Sequence, residues 1–282
     1  MKRTLWAGMA LWASCCLFQA KAWDIPFAGD CAFYVSFDSG DLMADISVGK
    51  PDATVTPPGT APVFSENGVR GKALLASWED NIRFLNYQTE GNFSCARPGT
   101  LSMWIQPVKW RRGDELPEDP RKEPGWRQPT YTVFFRAGRA DGIMGVQRMT
   151  SAYLTKPNSL DFTQVYYRSF PKLKDITAYG RTEWADGEWH HVALSWNREE
   201  IRLYVDGKQE GPAVSLIGAI DTESDPKMFS FGSQGDPSLI DELALYNRTL
   251  SPEEIKTLFD AYQPVEKGRI GAANKKARER QG

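Results

Sequence analysis

The 282-residue sequence predicts an all-β protein, a two-sheet antiparallel sandwich with one short helix near its C-terminal end. Many short segments alternate between apolar and polar residues, as half-buried strands do. Clusters of Gly, Pro, Asn and Asp separate these segments at the regular spacing typical of sandwiches. Helical spacing of apolar residues is confined to residues 251–262. A hydrophobic content of 41% is sufficient for the core of one domain of this length.

The clearest pattern is a predicted β-hairpin over residues 189–207. Two alternating apolar runs flank a polar connection at 197–200, and the second run ends on Asp206-Gly207, a strong turn signal. Three apolar side chains share one face of each strand: Val192, Leu194 and Trp196 in the first, and Ile201, Leu203 and Val205 in the second. Both strands can therefore bury one side.

Further short strands are predicted on both sides of this hairpin. They fall at 31–38, 82–85, 99–106, 131–136, 143–147, 160–168, 213–216, 228–231 and 238–246. Residues 110–129 interrupt the pattern with charges and four prolines, which a central strand does not tolerate. We interpret this segment as a surface insertion, the kind of place where a β scaffold often carries specificity.

The predicted helix has a clear N-terminal signal. Ser251 is suited to the N-cap, Pro252 to the first helical position, and Glu254 completes a capping box. Apolar residues then recur at helical spacing and form one stripe: Ile255, Leu258, Phe259 and Tyr262. Pro264 follows the end of the stripe.

The two ends of the chain differ from its body. Residues 1–22 combine Lys2-Arg3, an apolar run and a small-residue cleavage pattern, which predicts a signal peptide and an exported protein, secreted or periplasmic. An uncleaved anchor is the alternative, although the apolar run is short for a membrane span. Residues 263–282 form a basic tail, predicted to be disordered.

Charge argues against nucleic acid as the partner. Removing the leader removes three basic residues and no acidic ones, which takes the formal net charge from −2 to −5. A net acidic body repels nucleic acid.

Cys31 and Cys95 remain after cleavage, and an exported compartment permits a disulfide between them. Two separate buried thiols are the alternative.

Several motifs resemble one known family. The segments Trp-His-His-Val-Ala at 189–193 and Leu-Tyr-Val-Asp-Gly at 203–207 are similar to a signature of laminin G-like jelly-roll domains of the concanavalin A-like lectin/glucanase superfamily. Residues 240–255 are similar to the closing strand and short helix of that family. The resemblance covers about residues 31–262 and implies a jelly-roll sandwich over residues 23–262. In exported proteins, such domains are carbohydrate-binding or adhesion modules.

The resemblance also implies a structural calcium ion, which many members carry. It places calcium ligands at Asp45 and Asp241, with backbone carbonyls from the turn at 67–72. The alternative gives Asp45 a turn role and makes Asp241 a hydrogen-bond acceptor at a strand end.

Sugar rings stack on exposed aromatic faces, so tryptophans are the candidate ligand contacts. Trp104 lies on the strand face opposite Leu101 and Ile105. The other candidates lie in or near the insertion or just before the hairpin: Trp110, Trp126 with its neighbour Arg127, and Trp184. Each tryptophan could instead belong to the core.

The histidines favour a structural interpretation. His190 and His191 point to opposite faces of a strand and cannot hold one metal together. Sequence spacing leaves a Ser-His-Asp triad open, whereas the resemblance makes His191 a buried sheet residue bonded to a neighbouring loop. We therefore predict an exported, non-catalytic module that binds an extracellular glycan or glycosylated surface. The alternatives are a glycan-cleaving enzyme on the same fold and an adhesion or structural protein with a protein partner.

Overall fold

Strands dominate the computed structural model of the protein, which describes residues 25–78, 81–110, 131–138, 144–149, 162–167, 176–181, 184–216 and 225–262. The predicted leader and tail, Trp126, Arg127 and most of the predicted insertion lie outside these ranges. The strands are, in chain order, β1 (Cys31–Val35), β2 (Ile46–Ser47), β3 (Thr54–Thr56), β4 (Val63–Ser65), β5 (Ala73–Ala76), β6 (Phe84–Gln88), β7 (Gly99–Pro107), β8 (Tyr131–Ala137), β9 (Met144–Met149), β10 (Phe162–Tyr167), β11 (Ile176–Arg181), β12 (His190–Trp196), β13 (Glu200–Val205), β14 (Lys208–Ser215), β15 (Met228–Gln234) and β16 (Ser238–Tyr246). Within the described ranges, α1 (Pro252–Ala261) is the single α-helix.

The strands form two antiparallel sheets. The first sheet has the order β14, β13, β12, β7, β16, β1 and β2, with β5 also paired to β16 and β4 to β5. The second sheet has the order β11, β10, β9, β8, β15, β6 and β3. Partners such as β1 and β16 are distant in sequence, so long connections cross between the sheets. This is the predicted two-sheet sandwich, with the jelly-roll arrangement that the resemblance implied.

The main hydrophobic core lies between the two sheets, and aromatic rings join them. The Phe33 ring of the first sheet meets the Tyr87 ring edge-on at 4.7 Å between centroids, and the Phe229 ring at 5.1 Å. Tyr87 and Phe231 stack at 5.5 Å within the second sheet. Offset and edge-on contacts of this kind add stabilisation beyond the burial of apolar area.

The predicted hairpin is confirmed in its register. β12 and β13 pair Val192 with Val205, Leu194 with Leu203 and Trp196 with Ile201. All six side chains belong to the core between the sheets, as a two-residue period requires. Asp206-Gly207 forms the turn from β13 to β14, where both residues have positive φ.

The outer face of the first sheet carries a second hydrophobic cluster, and α1 covers it. Ile255 and Leu258 of the helix are buried against this face. Ser251 accepts a hydrogen bond from Glu254 N, and the Glu254 carboxylate accepts one from Ser251 N. The predicted capping box and apolar stripe are therefore confirmed.

The predicted disulfide between Cys31 and Cys95 is wrong, because both thiols are free and buried. Cys31 belongs to the cluster on the outer face of the first sheet, whereas Cys95 belongs to the core between the sheets. The two side chains therefore lie in different clusters. Burial raises the pKa of the Cys31 thiol to about 12 and that of Cys95 well above its usual value, so both stay protonated.

Candidate functional site

The structure brings two of the predicted ligand tryptophans together, but it buries them. Trp110 and Trp184 lie 5.6 Å apart between ring centroids, and Trp184 stacks on His190 at 4.4 Å. Only 5% of Trp110 and 7% of Trp184 is exposed. The Trp110 indole N–H donates to Ser238 Oγ at 3.0 Å. We therefore correct the prediction for both residues, since neighbouring side chains cover the ring faces that a sugar would need.

Trp104 lies on the predicted face, opposite Leu101 and Ile105, but α1 covers that face. Its ring stacks on Phe259 of the helix at 5.7 Å, and 1% of the residue is exposed. The alternation of β7 indicated correctly that Trp104 points away from the main core. It could not show that a helix packs on the other side, so the predicted ligand role is corrected here too.

A buried ion pair lies beside Trp110, and no sequence motif predicts it. Arg148 Nη1 donates to Asp236 Oδ2 at 3.0 Å, and the guanidinium carbon lies 4.5 Å from the Trp110 ring centroid. The two side chains are 2% and 8% exposed. A buried pair of this kind fixes local geometry but contributes uncertainly to stability because both ions lose hydration.

Asp241, one of the predicted calcium ligands, organises a turn. Its Oδ2 accepts hydrogen bonds from Val69 N at 2.7 Å and from Arg70 N at 3.4 Å. Gly68 is required there, because a Cβ at that position would lie 2.7 Å from Oδ2. Burial raises the pKa of Asp241 despite these donors.

Glu242, next to Asp241, lies in a distorted part of the strand. It has a φ of 50° at a register shift between β16 and β7. Its Oε2 accepts a hydrogen bond from the Tyr34 hydroxyl at 2.7 Å. Burial raises the pKa of Glu242 to about 7, against the lowering effects of that bond and of Arg70. The pattern of apolar and polar residues in β16 did not predict this bulge.

Asp45, the other predicted calcium ligand, also accepts a backbone hydrogen bond. Its Oδ2 accepts a hydrogen bond from Ser36 N at 2.7 Å. Burial raises the pKa of this carboxyl, although the Ser36 bond acts in the opposite direction. The described part of the chain contains no group of three or more His, Cys, Asp or Glu side chains placed to hold a metal ion. Calcium at Asp45 and Asp241 therefore stays a prediction.

Within the described ranges, the histidine pair is not part of a Ser-His-Asp triad. His191 is fully buried, as predicted, and its Nε2 lies 2.8 Å from Ser102 Oγ on the neighbouring strand rather than a loop. Asp206 Oδ1 accepts a hydrogen bond from the backbone N of His191, and Asp206 Oδ2 lies 2.9 Å from His190 Nδ1. His191 Nδ1 has no hydrogen-bond partner among the described residues. Burial lowers the pKa of His191 to about 4. Among the residues that the structure describes, Ser102 therefore has a neighbouring imidazole but no third group that orients it.

The outer face of the second sheet presents a line of hydrogen-bonding side chains that solvent reaches. We call this surface the polar face. It is formed by Thr54, Thr56, Asn86, Gln88, Arg136, Gln147, Ser230 and Gln234. Thr54 and Gln88 are exposed, Ser230 is buried, and the other five residues are half-buried. Because neighbouring strands lie about 4.8 Å apart, the line from β3 to β9 extends about 19 Å.

Hydrogen bonds hold this face in position. Asn86 donates to Thr54 O and to Thr56 Oγ1, each at 3.0 Å. Its Oδ1 accepts a hydrogen bond from Ser230 Oγ at 2.8 Å. These bonds connect β3, β6 and β15. The resulting array of amides and hydroxyls can bind a ligand rich in hydroxyl groups without a large change in rotamers.

The polar face could not be predicted from the sequence, because it depends on strand pairing. Asn86, Arg136 and Ser230 come from three separate segments, each an ordinary polar residue in an alternating run. The register aligns Ser230 with Asn86 on one side and with Arg136 on the other. The alternation of each strand was the available signal, but it does not identify the neighbouring strand.

The comparisons with known proteins agree with this fold. Residues 125–256 match a laminin G family described as the concanavalin A-like lectin/glucanases superfamily. No curated protein matches the chain in sequence. Within the described ranges, no helix has the length and apolar character needed to cross a membrane.

Two kinds of solved structure share the fold. Domain 4 of AbnA, a GH43 extracellular arabinanase from Geobacillus stearothermophilus in complex with arabinotriose, has a TM-score of 0.54 at 19% identity, covering 81% of this chain and 98% of that one. The ligand binding domain of botulinum neurotoxin serotype D in complex with N-acetylneuraminic acid has a TM-score of 0.59 at 11% identity, covering 82% and 51%.

The receptor binding domain of botulinum neurotoxin type G gives a similar result, with a TM-score of 0.57 at 11% identity, covering 83% of this chain and 54% of that one. This chain thus spans about half the length of the botulinum domains. Such identities show likeness of fold alone. The strand order and the match over residues 125–256 therefore make this jelly roll similar to the laminin G-like domains of the concanavalin A-like lectin/glucanase superfamily.

Proposed function

We propose that the protein is an exported, non-catalytic binding module that recognises an extracellular or cell-surface glycan through its polar face. One observation carries the proposal. Hydrogen-bonding side chains from neighbouring strands form a continuous line on the outer face of the second sheet, which is accessible to solvent. A glycan presents many hydroxyl groups along an extended chain, which a line of amides and hydroxyls can pair. Export follows from the predicted leader.

The fold supports a binding role by analogy. One structure with this fold is in complex with arabinotriose and another with N-acetylneuraminic acid. Because one fold hosts many functions, the function of this protein depends on its own site.

The composition of the polar face favours binding over cleavage. Glycosidases need two carboxyl groups flanking the scissile bond. The eight residues that define the polar face include neither Asp nor Glu. The buried acids Asp241 and Glu242 lie on the first sheet and are engaged with backbone N–H groups and the Tyr34 hydroxyl.

The direct test is a glycan array probed with the purified protein, with and without calcium. We expect retained oligosaccharides, and we expect Asn86→Ala to weaken binding to them about fivefold, because one hydrogen bond contributes about 1 kcal/mol. Isothermal titration calorimetry with a retained oligosaccharide measures the change.

Gln209→Ala provides the control, since Gln209 is exposed on β14 of the first sheet. Its affinity should equal that of the wild type. An array with no retained sugar in either condition would overturn glycan binding and favour a protein partner. Equal loss in both variants would place the binding surface elsewhere.

A further inference from the structure

An exposed methionine lies beside the polar face. Met228 begins β15 and is 39% exposed, whereas Phe229 and Phe231 of the same strand belong to the core between the sheets. Because side chains alternate along a strand, Met228 points to the outer face of the second sheet. The polar face therefore borders on one apolar side chain that solvent reaches.

Met228 and Gln88 are direct neighbours across two paired strands. The register of β15 and β6 pairs Met228 with Gln88, so their Cβ atoms lie about 5 Å apart on one side of the sheet. Both side chains are exposed, and neither has a hydrogen-bond partner among the residues that the structure describes. A thioether and a primary amide are therefore available to a ligand at adjacent positions.

Hydrogen bonds fix the backbone that carries these two side chains. Asn92 Nδ2 donates to Gln88 O at 3.1 Å, and Thr89 N donates to Lys227 O at 3.1 Å. The side chains themselves are flexible, and a methionine adapts its shape to the group that it contacts. The two positions are therefore fixed relative to each other, while their ends can adjust to a ligand.

Together the two side chains complement an acetamido group, the substituent of N-acetylated amino sugars. An acetamido group has an N–H, a C=O and a methyl group. The Gln88 amide offers both a donor and an acceptor, and the Met228 thioether offers an apolar contact for the methyl group. A sugar hydroxyl at the same place could bond the amide but would leave the thioether uncovered.

A third exposed side chain can contact the same sugar. Thr54 of β3 pairs with Asn86, two positions before Gln88 on β6, so Thr54 lies diagonally opposite Gln88 at about 7 to 8 Å. A sugar ring whose acetamido group lies against Gln88 can therefore place a hydroxyl group near the Thr54 hydroxyl.

We propose that the glycan bound by the polar face contains an N-acetylated amino sugar whose acetamido group lies against Gln88 and Met228. This inference rests on the proposed function and adds a substrate class to it. Gln88 pairs with the amide of the sugar, and Met228 covers its methyl group. Selection against plain hexoses arises because they offer neither the amide nor the methyl group.

The test compares sugars that differ only in this substituent. A glycan array should include oligosaccharides of N-acetylglucosamine, N-acetylgalactosamine, glucose and galactose, and we expect the retained members to be N-acetylated. Calorimetry then compares a retained oligosaccharide with two counterparts that carry a formamido or a hydroxyl group at the same ring carbon. The acetamido form should bind about fourfold more tightly than the formamido form, which lacks the methyl group. It should bind at least about tenfold more tightly than the hydroxyl form.

Substitutions at the two positions assign each contact to its residue. Met228→Ala should bind the acetamido and formamido forms equally, and Met228→Leu should keep the preference for the acetamido form. Gln88→Ala should weaken binding of both amide forms about fivefold, and that of the hydroxyl form less. Met43→Ala and Gln209→Ala, at an exposed methionine and an exposed glutamine outside the polar face, should behave as the wild type. Thermal unfolding of each variant identifies any loss of folding.

The possible results separate this inference from the proposed function. Retention of hexose oligosaccharides alone, or equal affinity for the acetamido and hydroxyl forms, overturns selection for N-acetylated sugars and leaves glycan binding in place. A preference for the acetamido form that survives both Met228→Ala and Gln88→Ala overturns the assignment to these residues. Absence of any retained glycan overturns both proposals.

Discussion

His191 lies fully enclosed on the outer face of the first sheet, between Trp104 and the helix. Its ring centroid is 5.3 Å from that of Trp104 and 6.1 Å from that of Phe259. Ser102 Oγ supplies its side-chain hydrogen bond. Because this environment disfavours the imidazolium, burial lowers the pKa of His191 from 6.5 to about 4. The fold therefore holds this side chain neutral.

This burial gives the protein an acid-sensitive contribution to stability. The unfolded chain binds a proton at His191 below about pH 6.5, whereas the folded chain does so only below about pH 4. The contribution is complete above pH 6.5 and is lost as the pH falls to 4, and its full value is about 3 kcal/mol. Urea unfolding over this range should show a smaller loss of stability on acidification in His191→Gln than in the wild type. Gln209→Ala, at an exposed position on β14, should retain the wild-type loss; equal behaviour of all three proteins would contradict the prediction.

At the scale of the element, α1 is the part of the structure with the most explicit sequence signal. The capping box at Ser251 and Glu254 is complete, and Arg248 donates to both oxygens of Glu254, at 2.9 and 2.8 Å, and to Asp30 at 2.7 Å. These contacts connect the start of the helix to the turn before β1. The helix therefore begins at a fixed position on the first sheet.

Removing the N-cap should destabilise the folded protein. Ser251→Ala deletes the acceptor for Glu254 N, and we expect the free energy of unfolding to fall by about 1 kcal/mol. Chemical unfolding monitored by tryptophan fluorescence measures the change, since Trp104 packs on Phe259 of the helix. Ser39→Ala, at an exposed loop position, is the matched control and should change stability little. Equal stability of Ser251→Ala and the wild type would show that the helix needs no cap.

At the scale of the whole molecule, Asp241 joins segments that are far apart in sequence. Its hydrogen bond to Val69 N crosses 172 positions of the chain. If the predicted calcium ion binds at Asp45 and Asp241, chelator-treated protein should melt at a higher temperature when calcium is added. At a concentration about 100 times the dissociation constant, the stabilisation is about 2.7 kcal/mol.

Two acidic substitutions test the position of that ion. Asp45→Asn should abolish the heat of calcium binding in calorimetry, whereas Asp52→Asn, at an exposed position, should leave it unchanged. Absence of calcium heat in the wild type, together with an unchanged melting temperature, would remove calcium from the description of this protein.

Much of the fold could be predicted from local patterns. The alternation in β12 and β13 indicated which side chains are buried, and the capping residues indicated where α1 begins. Period-two alternation reports which side of a strand is buried, but it does not report what buries it. Trp104 illustrates the limit. The side of the strand on which it lies was predicted correctly, but the helix that packs over this side lies about 150 residues later in the chain.

The candidate site could not be predicted from such local patterns, for the same reason. Arg136 and Asn86 become parts of one surface only because β15 lies between their strands. For Cys31 and Cys95, the sequence made a disulfide plausible, but the fold places the two side chains in different hydrophobic clusters. Pairing between distant segments is set by the packing of the whole core, which one sequence does not display.

The position of α1 gives the sandwich a front and a back. The helix occupies the outer face of the first sheet, and the polar face is the outer face of the second, with the core between them. A large ligand that docks flat on the polar face would therefore leave the helix side turned toward solvent. In that orientation the molecule could hold a surface with one side while the other remains free to meet a second partner.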